Sequence, residues 1–173
     1  SLKVSAPTTD GRSEVTNFLL PGDLLGLDVL DESNHRGDAQ ALESTSLCEI
    51  PLDALDALTN SIVGLRRQLL RVMSRQLQHE QAMLALLRRT RAEQRVAAFL
   101  LHLSARYERR GFSPTTFRLS MSRHDIGSYL GLTKETVCRV CTRLHESGVI
   151  TIDRREVHLL DAPALHSLAK IDP

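Results

Sequence analysis

No long apolar run interrupts the 173 residues; the longest stretches, such as residues 96–101, fall far short of the roughly 20 that a membrane-spanning helix needs. The start lacks the basic stretch and apolar core of a secretory leader, so a cytoplasmic protein without a membrane contact is expected. Ser1 stands where a start Met would, as in a processed or trimmed piece. Cysteine is scarce: three residues, an odd number, do not describe a disulfide framework and leave thiol, metal or packing roles. Also missing are a Ser/His/Asp order, a phosphate loop and an HExxH pair, so an enzyme is not expected. What is present, 42% hydrophobic and 25% charged residues, is the composition of a chain that folds.

The net charge of +1 hides an asymmetry. Residues 1–60 carry three bases against eleven acids, a balance of −8, and residues 61–173 carry 19 bases against 10 acids, a balance of +9. A basic C-terminal half is what a polyanion selects, because each cation near a phosphate releases condensed counterions.

The first fifty residues read as short strands broken by turns: Asp10-Gly11 as a hairpin signal, residues 14–20 as a strand, Pro21-Gly22-Asp23 as a turn, and residues 46–50 as a strand stopped by Pro51. So few strands cannot close a barrel or sandwich, and the reading expects further sequence ahead of Ser1. From Asp53 the spacing becomes helical. With Asn60 as N-cap, residues 61–87 place Val63, Leu70, Leu77 and Leu84 at every seventh position, with Arg66, Met73, Glu80 and Leu87 offset between them. This narrow seam suits a two-chain coiled coil; the alternative is that it lies on the chain's own β region. Glu80 in the seam either meets its symmetry mate, weakening the dimer by repulsion, or leans aside to pair with an Arg.

A capping box at Thr90-Arg91-Ala92-Glu93 opens the next helix, with Val96, Phe99, Leu100, Leu103 and Tyr107 on one apolar face and Gly111 after its end. A short strand follows at residues 117–119. Ser122-Arg123-His124-Asp125 then caps a short helix carrying Ile126, Tyr129 and Leu130. Gly131-Leu132-Thr133 breaks it and caps a second helix, residues 134–146, which Gly148 stops. Helix, three-residue turn with glycine, helix is a helix-turn-helix. On its second helix Val137, Val140, Cys141 and Leu144 fall at core spacing, while Glu135, Cys138, Arg139 and Thr142 form the outward stripe. Such a stripe suits a major groove: Arg139 can donate two hydrogen bonds to guanine, and Glu135 can accept from cytosine. Strands at 149–153 and 156–160 around Arg154-Arg155 make a wing, and Asp161 caps a last helix. Arg118, Arg123, Thr133, Arg154 and Arg155 are placed to touch phosphates. The expected class is α+β: a partial β region at residues 1–52, a linking and dimerisation helix at 53–89, and a winged helix-turn-helix at 90–173.

In this order of parts the chain resembles the Crp/Fnr transcription regulators, which implies that the β region at residues 1–52 is the end of a larger sensory β-roll. The run RGFSPTTFRLSMSRHDIGSYLGLT at residues 110–133 looks like the Fnr branch, as do PGDLLG from Pro21, QALE from Gln40 and CEIP from Cys48. The resemblance implies a homodimer that binds palindromic promoter DNA with TTGAT-like half-sites, works with RNA polymerase, and answers oxygen or redox state; haem with nitric oxide, or a small effector, is the alternative signal. The family pattern of Glu, two residues, Ser-Arg is met at Glu135 and Arg139, with Cys138 where the Fnr type has Ser. It also implies that Cys48 aligns with one of four cysteines holding a [4Fe-4S] cluster. One thiolate cannot hold a cluster, so no cofactor is expected on these 173 residues alone. A small buried hydrophobe in a strand is the other reading of Cys48. Where a cyclic-nucleotide pocket of this family has Gly-Glu followed by Arg and a small hydroxyl residue, the chain has Arg36-Gly37-Asp38-Ala39-Gln40. Cys138, Cys141 and His145 tempt a zinc reading, but Cys141 sits on the core stripe and no second ligand pair has finger spacing.

Overall fold

The computed structural model describes residues 1–30, 34–88 and 91–170. It divides into two compact units, Ser1–Met83 and Leu84–Pro173, and the boundary falls within the long helix.

In the first unit, strands β1 (Leu2–Pro7), β2 (Ser13–Leu19) and β3 (Asp38–Ala41) form an antiparallel sheet in the order β2-β1-β3. The hairpin expected at Asp10-Gly11 joins β1 to β2. The Thr8 amide donates to the Arg12 carbonyl at 2.7 Å, and Gly11 takes the positive φ of 78° that the loop requires. A register shift between Val4 and Ser5 interrupts the alternation along β2, whose Val15, Phe18 and Leu19 are buried and with Leu2 and Leu20 form the small core. At Pro21-Gly22 the chain turns, with the Asp23 amide donating to the Leu20 carbonyl at 3.0 Å and the Leu20 amide to the Asp23 carboxylate at 2.8 Å.

Three expectations fail here. Residues 46–50 are exposed and not a strand: the sheet of the first unit is β2-β1-β3, and this segment pairs with none of its strands. Cys48, exposed within it, is therefore not a buried hydrophobe. Nor does Asn60 cap a helix. Helix α1 (Leu52–Ser61) starts directly after Pro51, whose φ of −59° suits a helix entry, and Asp53 in the first turn complements the dipole. Ile62, at φ −114° and ψ 95°, breaks the path before α2 (Val63–Leu87), and the Asn60 side chain accepts from Arg66 at 2.7 Å.

Helix α2 carries two apolar stripes where the sequence reading saw one. Val63, Leu70, Leu77 and Leu84 are 80%, 60%, 57% and 59% exposed, Arg66 and Glu80 are exposed, and Met73 and Leu87 are half-buried. Glu80 forms no ion pair among the described residues. The stripe covered by the chain itself is the neighbouring one, with Leu65, Leu69 and Val72 half-buried and Met83 and Leu86 buried. The alternative that the first seam lies on the chain's own β region therefore fails.

In the second unit, α3 (Ala92–Glu108), α4 (Arg123–Leu130), α5 (Lys134–Glu146) and α6 (Ala162–Ala169) surround a sheet of β4 (Thr116–Arg118), β5 (Ile150–Asp153) and β6 (Glu156–Leu159) in the order β4-β6-β5. Helix α3 is buried more widely than one face: Ala97, Ala98 and Leu101 are covered as well as Val96, Phe99, Leu100 and Leu103. Phe99 meets Tyr129 of α4 edge-on at 5.9 Å, and Tyr107 stacks on Phe117 of β4 at 5.3 Å. The capping box expected at Thr90 is replaced. The N-cap is Arg91, without a side-chain cap bond, and Thr90 lies outside the described residues. That shift puts Glu93 at the second helical position, one short of a box, and its carboxylate pairs with Arg143 of α5 instead.

Candidate nucleic-acid interface

Helix α4 opens on a complete capping box. The Ser122 hydroxyl accepts from the Asp125 amide at 3.1 Å, and the Asp125 carboxylate accepts from the Ser122 amide at 3.0 Å. It ends at Gly131, whose left-handed φ of 62° reverses the chain. Two residues on, Thr133 caps α5 by accepting from the Thr136 amide at 3.2 Å.

Between these caps, space is made by a residue the sequence reading passed over. A Cβ on Gly127 would lie 2.7 Å from the Leu132 carbonyl oxygen, so only glycine lets the turn close onto α4. A glycine inside a short, doubly capped helix was the available signal. Arg95 carries no local signal, and the cap spacing of Glu93 points elsewhere: Arg95 donates to the Leu130 carbonyl at 3.0 Å, and Glu93 lies 2.7 Å from Arg143.

The two faces of α5 separate as their spacing requires. Val137, Val140, Cys141 and Leu144 are buried, and Glu135, Cys138, Arg139 and Thr142 are exposed. The side chains of Glu135 and Arg139 make no hydrogen bond or ion pair among the described residues. Burial pushes the Cys141 thiol up, with half-buried Arg123 near enough to oppose that shift and Cys138 adding to it. Gly148, at φ 71°, ends α5 and leads into the wing.

Asp153 pairs with Glu156 across a two-residue turn, so Arg154 and Arg155 form the tip of the wing. Arg154 is exposed and holds a positive φ of 51°, which costs a residue with a Cβ about 1 kcal/mol. Arg155 donates from Nη1 to the Ser120 carbonyl at 3.2 Å, tying the tip to the segment before α4. Arg118, on β4, is exposed, and its carbonyl accepts from the Tyr107 hydroxyl at 3.1 Å. The structure thus brings Arg118, Arg123, Thr133, Glu135, Cys138, Arg139, Arg154 and Arg155 into one unit, while Cys48 belongs to the other.

No three His, Cys, Asp or Glu side chains among the described residues stand together as a metal site. Cys48, a single exposed thiol, does not by itself fit a four-thiolate cluster, and no step is routed through one. Among the described residues no helix is long and apolar enough to cross a membrane.

Residues 94–168 match the Crp-like helix-turn-helix domain, and residues 1–61 match the cyclic nucleotide-binding domain. The chain is 48% identical to the transcriptional activator protein anr of Pseudomonas aeruginosa over 169 residues, covering 98% of this chain and 69% of that one. It is 42% identical to the fumarate and nitrate reduction regulatory protein of Salmonella typhimurium, covering 98% and 68%. The solved structure of FixK2 from Bradyrhizobium japonicum superposes with a TM-score of 0.82 at 34% identity, covering 99% of this chain and 84% of that one. Capped helices, glycine-pinned turn, wing and sequence agree: the chain belongs to the Crp/Fnr family of DNA-binding transcription regulators.

Proposed function

We propose that two copies of this chain pair along the exposed stripe of α2 and read a palindromic promoter, each setting one α5 into a major groove. The exposed, uncommitted Glu135 and Arg139 on a helix whose opposite face is buried carry this reading. Arg139 donates to the guanine of a TTGAT-like half-site, and Glu135 accepts from its paired cytosine. Cys138, a weaker donor than serine and more apolar, faces the neighbouring base. Arg118, Arg123, Thr133, Arg154 and the free donors of Arg155 hold phosphates and set register. The residue ranges 1–52, 53–89 and 90–173 serve sensing, pairing and reading in turn. RNA polymerase is the downstream partner and the cytoplasm the site of action. Relatives named for anaerobic or fumarate and nitrate regulation support oxygen or redox state as the signal. Cys48 serves as a cluster ligand only in a longer chain that supplies the remaining thiolates.

The experiment is a titration of the chain against a duplex carrying a TTGAT-type palindrome and against the same duplex with the guanine of each half-site replaced, at several salt concentrations. Preference for the first duplex, with affinity falling steeply as salt rises, is expected. Equal, salt-insensitive binding, or none, would return the chain to a protein-interaction role.

A further inference from the structure

The first turn of α3 touches both helices of the helix-turn-helix. Arg95 donates from Nη1 to the Leu130 carbonyl at 3.0 Å and reaches the Gly131 carbonyl at 3.5 Å. These oxygens close α4, where unpaired carbonyls gather the negative end of the helix dipole, so a guanidinium is the complement they need. Two positions earlier, Glu93 lies 2.7 Å from Arg143, one turn beyond Arg139 on α5.

We infer that Arg95 and Glu93 are positioning residues for base reading, holding the turn and α5 so that Glu135 and Arg139 meet base edges in register. The inference rests on the DNA-reading function proposed above. Only Gly131, Leu132 and Thr133 separate α4 from α5, so the carbonyls that Arg95 grips lie three and four residues from the start of the reading helix. The turn is held from its other side by α4 itself, where Gly127 leaves room for the Leu132 carbonyl and the Leu132 amide donates to the Gly127 carbonyl at 2.9 Å. The turn is thus tied to α4 by its backbone and to α3 by Arg95.

The Glu93–Arg143 pair acts on charge as well as on position. Its side chains are 35% and 53% exposed, so it adds little to folding stability. A freed Arg143, however, is an extra cation one turn from Arg139, able to take any phosphate it meets. Glu93 therefore favours the specific complex over the non-specific one by keeping Arg143 engaged.

The test compares affinity ratios for the matched palindrome over the guanine-replaced duplex, using the whole chain, with urea unfolding of each variant alongside. Arg95→Met should lower the ratio about tenfold, and Arg95→Lys, which keeps a charge at the carbonyls, should recover most of it. Glu93→Gln should lower the ratio chiefly by tightening binding to the replaced duplex, with an unchanged unfolding midpoint. The exchange Glu93→Arg with Arg143→Glu should restore what either single change loses. If the wild-type chain discriminates and Arg95→Met and Glu93→Gln keep its ratio, or lose it only in step with the folded fraction, the positioning role is overturned. If the wild-type chain does not discriminate, the DNA-reading function fails and takes this inference with it.

Discussion

Gly127 and Leu132 approach so closely that their backbones touch where a side chain would stand: the Leu132 carbonyl oxygen lies 2.7 Å from the position of a Cβ on Gly127. Gly127→Ala should therefore push the turn away from α4, costing about 1–3 kcal/mol as overpacking does. Urea unfolding measures this directly, and a midpoint equal to that of the unaltered chain would show that the turn has slack.

The exposed stripe of α2 gives a second prediction. Leu77→Ala should weaken self-association by about 2 kcal/mol or more, since a central knob is removed. In the proposed pairing, where Glu80 meets its symmetry mate, Glu80→Ala should strengthen it by removing the repulsion between two carboxylates. Sedimentation equilibrium reads both changes. A wild-type chain and both variants that remain equally monomeric at high concentration would remove the seam.

Where local chemistry decides structure, the sequence was legible. The Ser122–Asp125 box, the Gly131 reversal, the Thr133 cap and the buried stripe of Val137, Val140, Cys141 and Leu144 stand where spacing placed them. Its failures share a cause, partners distant in the chain. Residues 46–50 have strand composition, but composition alone makes no strand, and the segment pairs with none of β1, β2 and β3. Glu93 has cap spacing, but a one-residue shift of the helix start sent it to Arg143. The second stripe of α2 was hidden because heptad counting rewards the more regular of two overlapping patterns, and Gln76 and His79 interrupt the buried one. The grip of Arg95 on Leu130 spans 35 residues and leaves no periodic trace.

Half-buried His102 yields a pH prediction. Burial first, then the charges of Arg106 and Arg109, push its imidazole down from 6.5 to about 4. Above pH 6.5 both folded and unfolded states hold it neutral, and its contribution is constant. As pH falls from 6.5 to about 4 the unfolded chain binds a proton that the folded chain does not, and stability drops by about 3 kcal/mol in all. His102→Gln should flatten that part of the stability profile. A slope unchanged by the substitution would assign the acid sensitivity to other groups.

The thiols should separate by exposure. Cys48 and Cys138 are exposed and should alkylate quickly, while Cys141, buried and with its thiol pushed up, should lag. Adding the matched duplex should protect Cys138 and leave Cys48 reactive, as read by mass spectrometry of the labelled peptides. Cys138 labelling at one rate with and without duplex would move it off the DNA face.

The central claim is that α5 reads bases while the wing holds phosphates, and Arg139→Ala set beside Arg154→Ala tests it most directly. Both variants are titrated on the matched and guanine-replaced palindromes across a salt series. Arg139→Ala should cost about 1–3 kcal/mol on the matched site and much less on the replaced one, where the two-bond contact to guanine is already gone. Arg154→Ala should weaken both sites alike and reduce the salt slope by about one counterion. Equal losses on both sites for Arg139→Ala, together with a site-selective loss for Arg154→Ala, would mean that the wing reads the sequence and α5 does not.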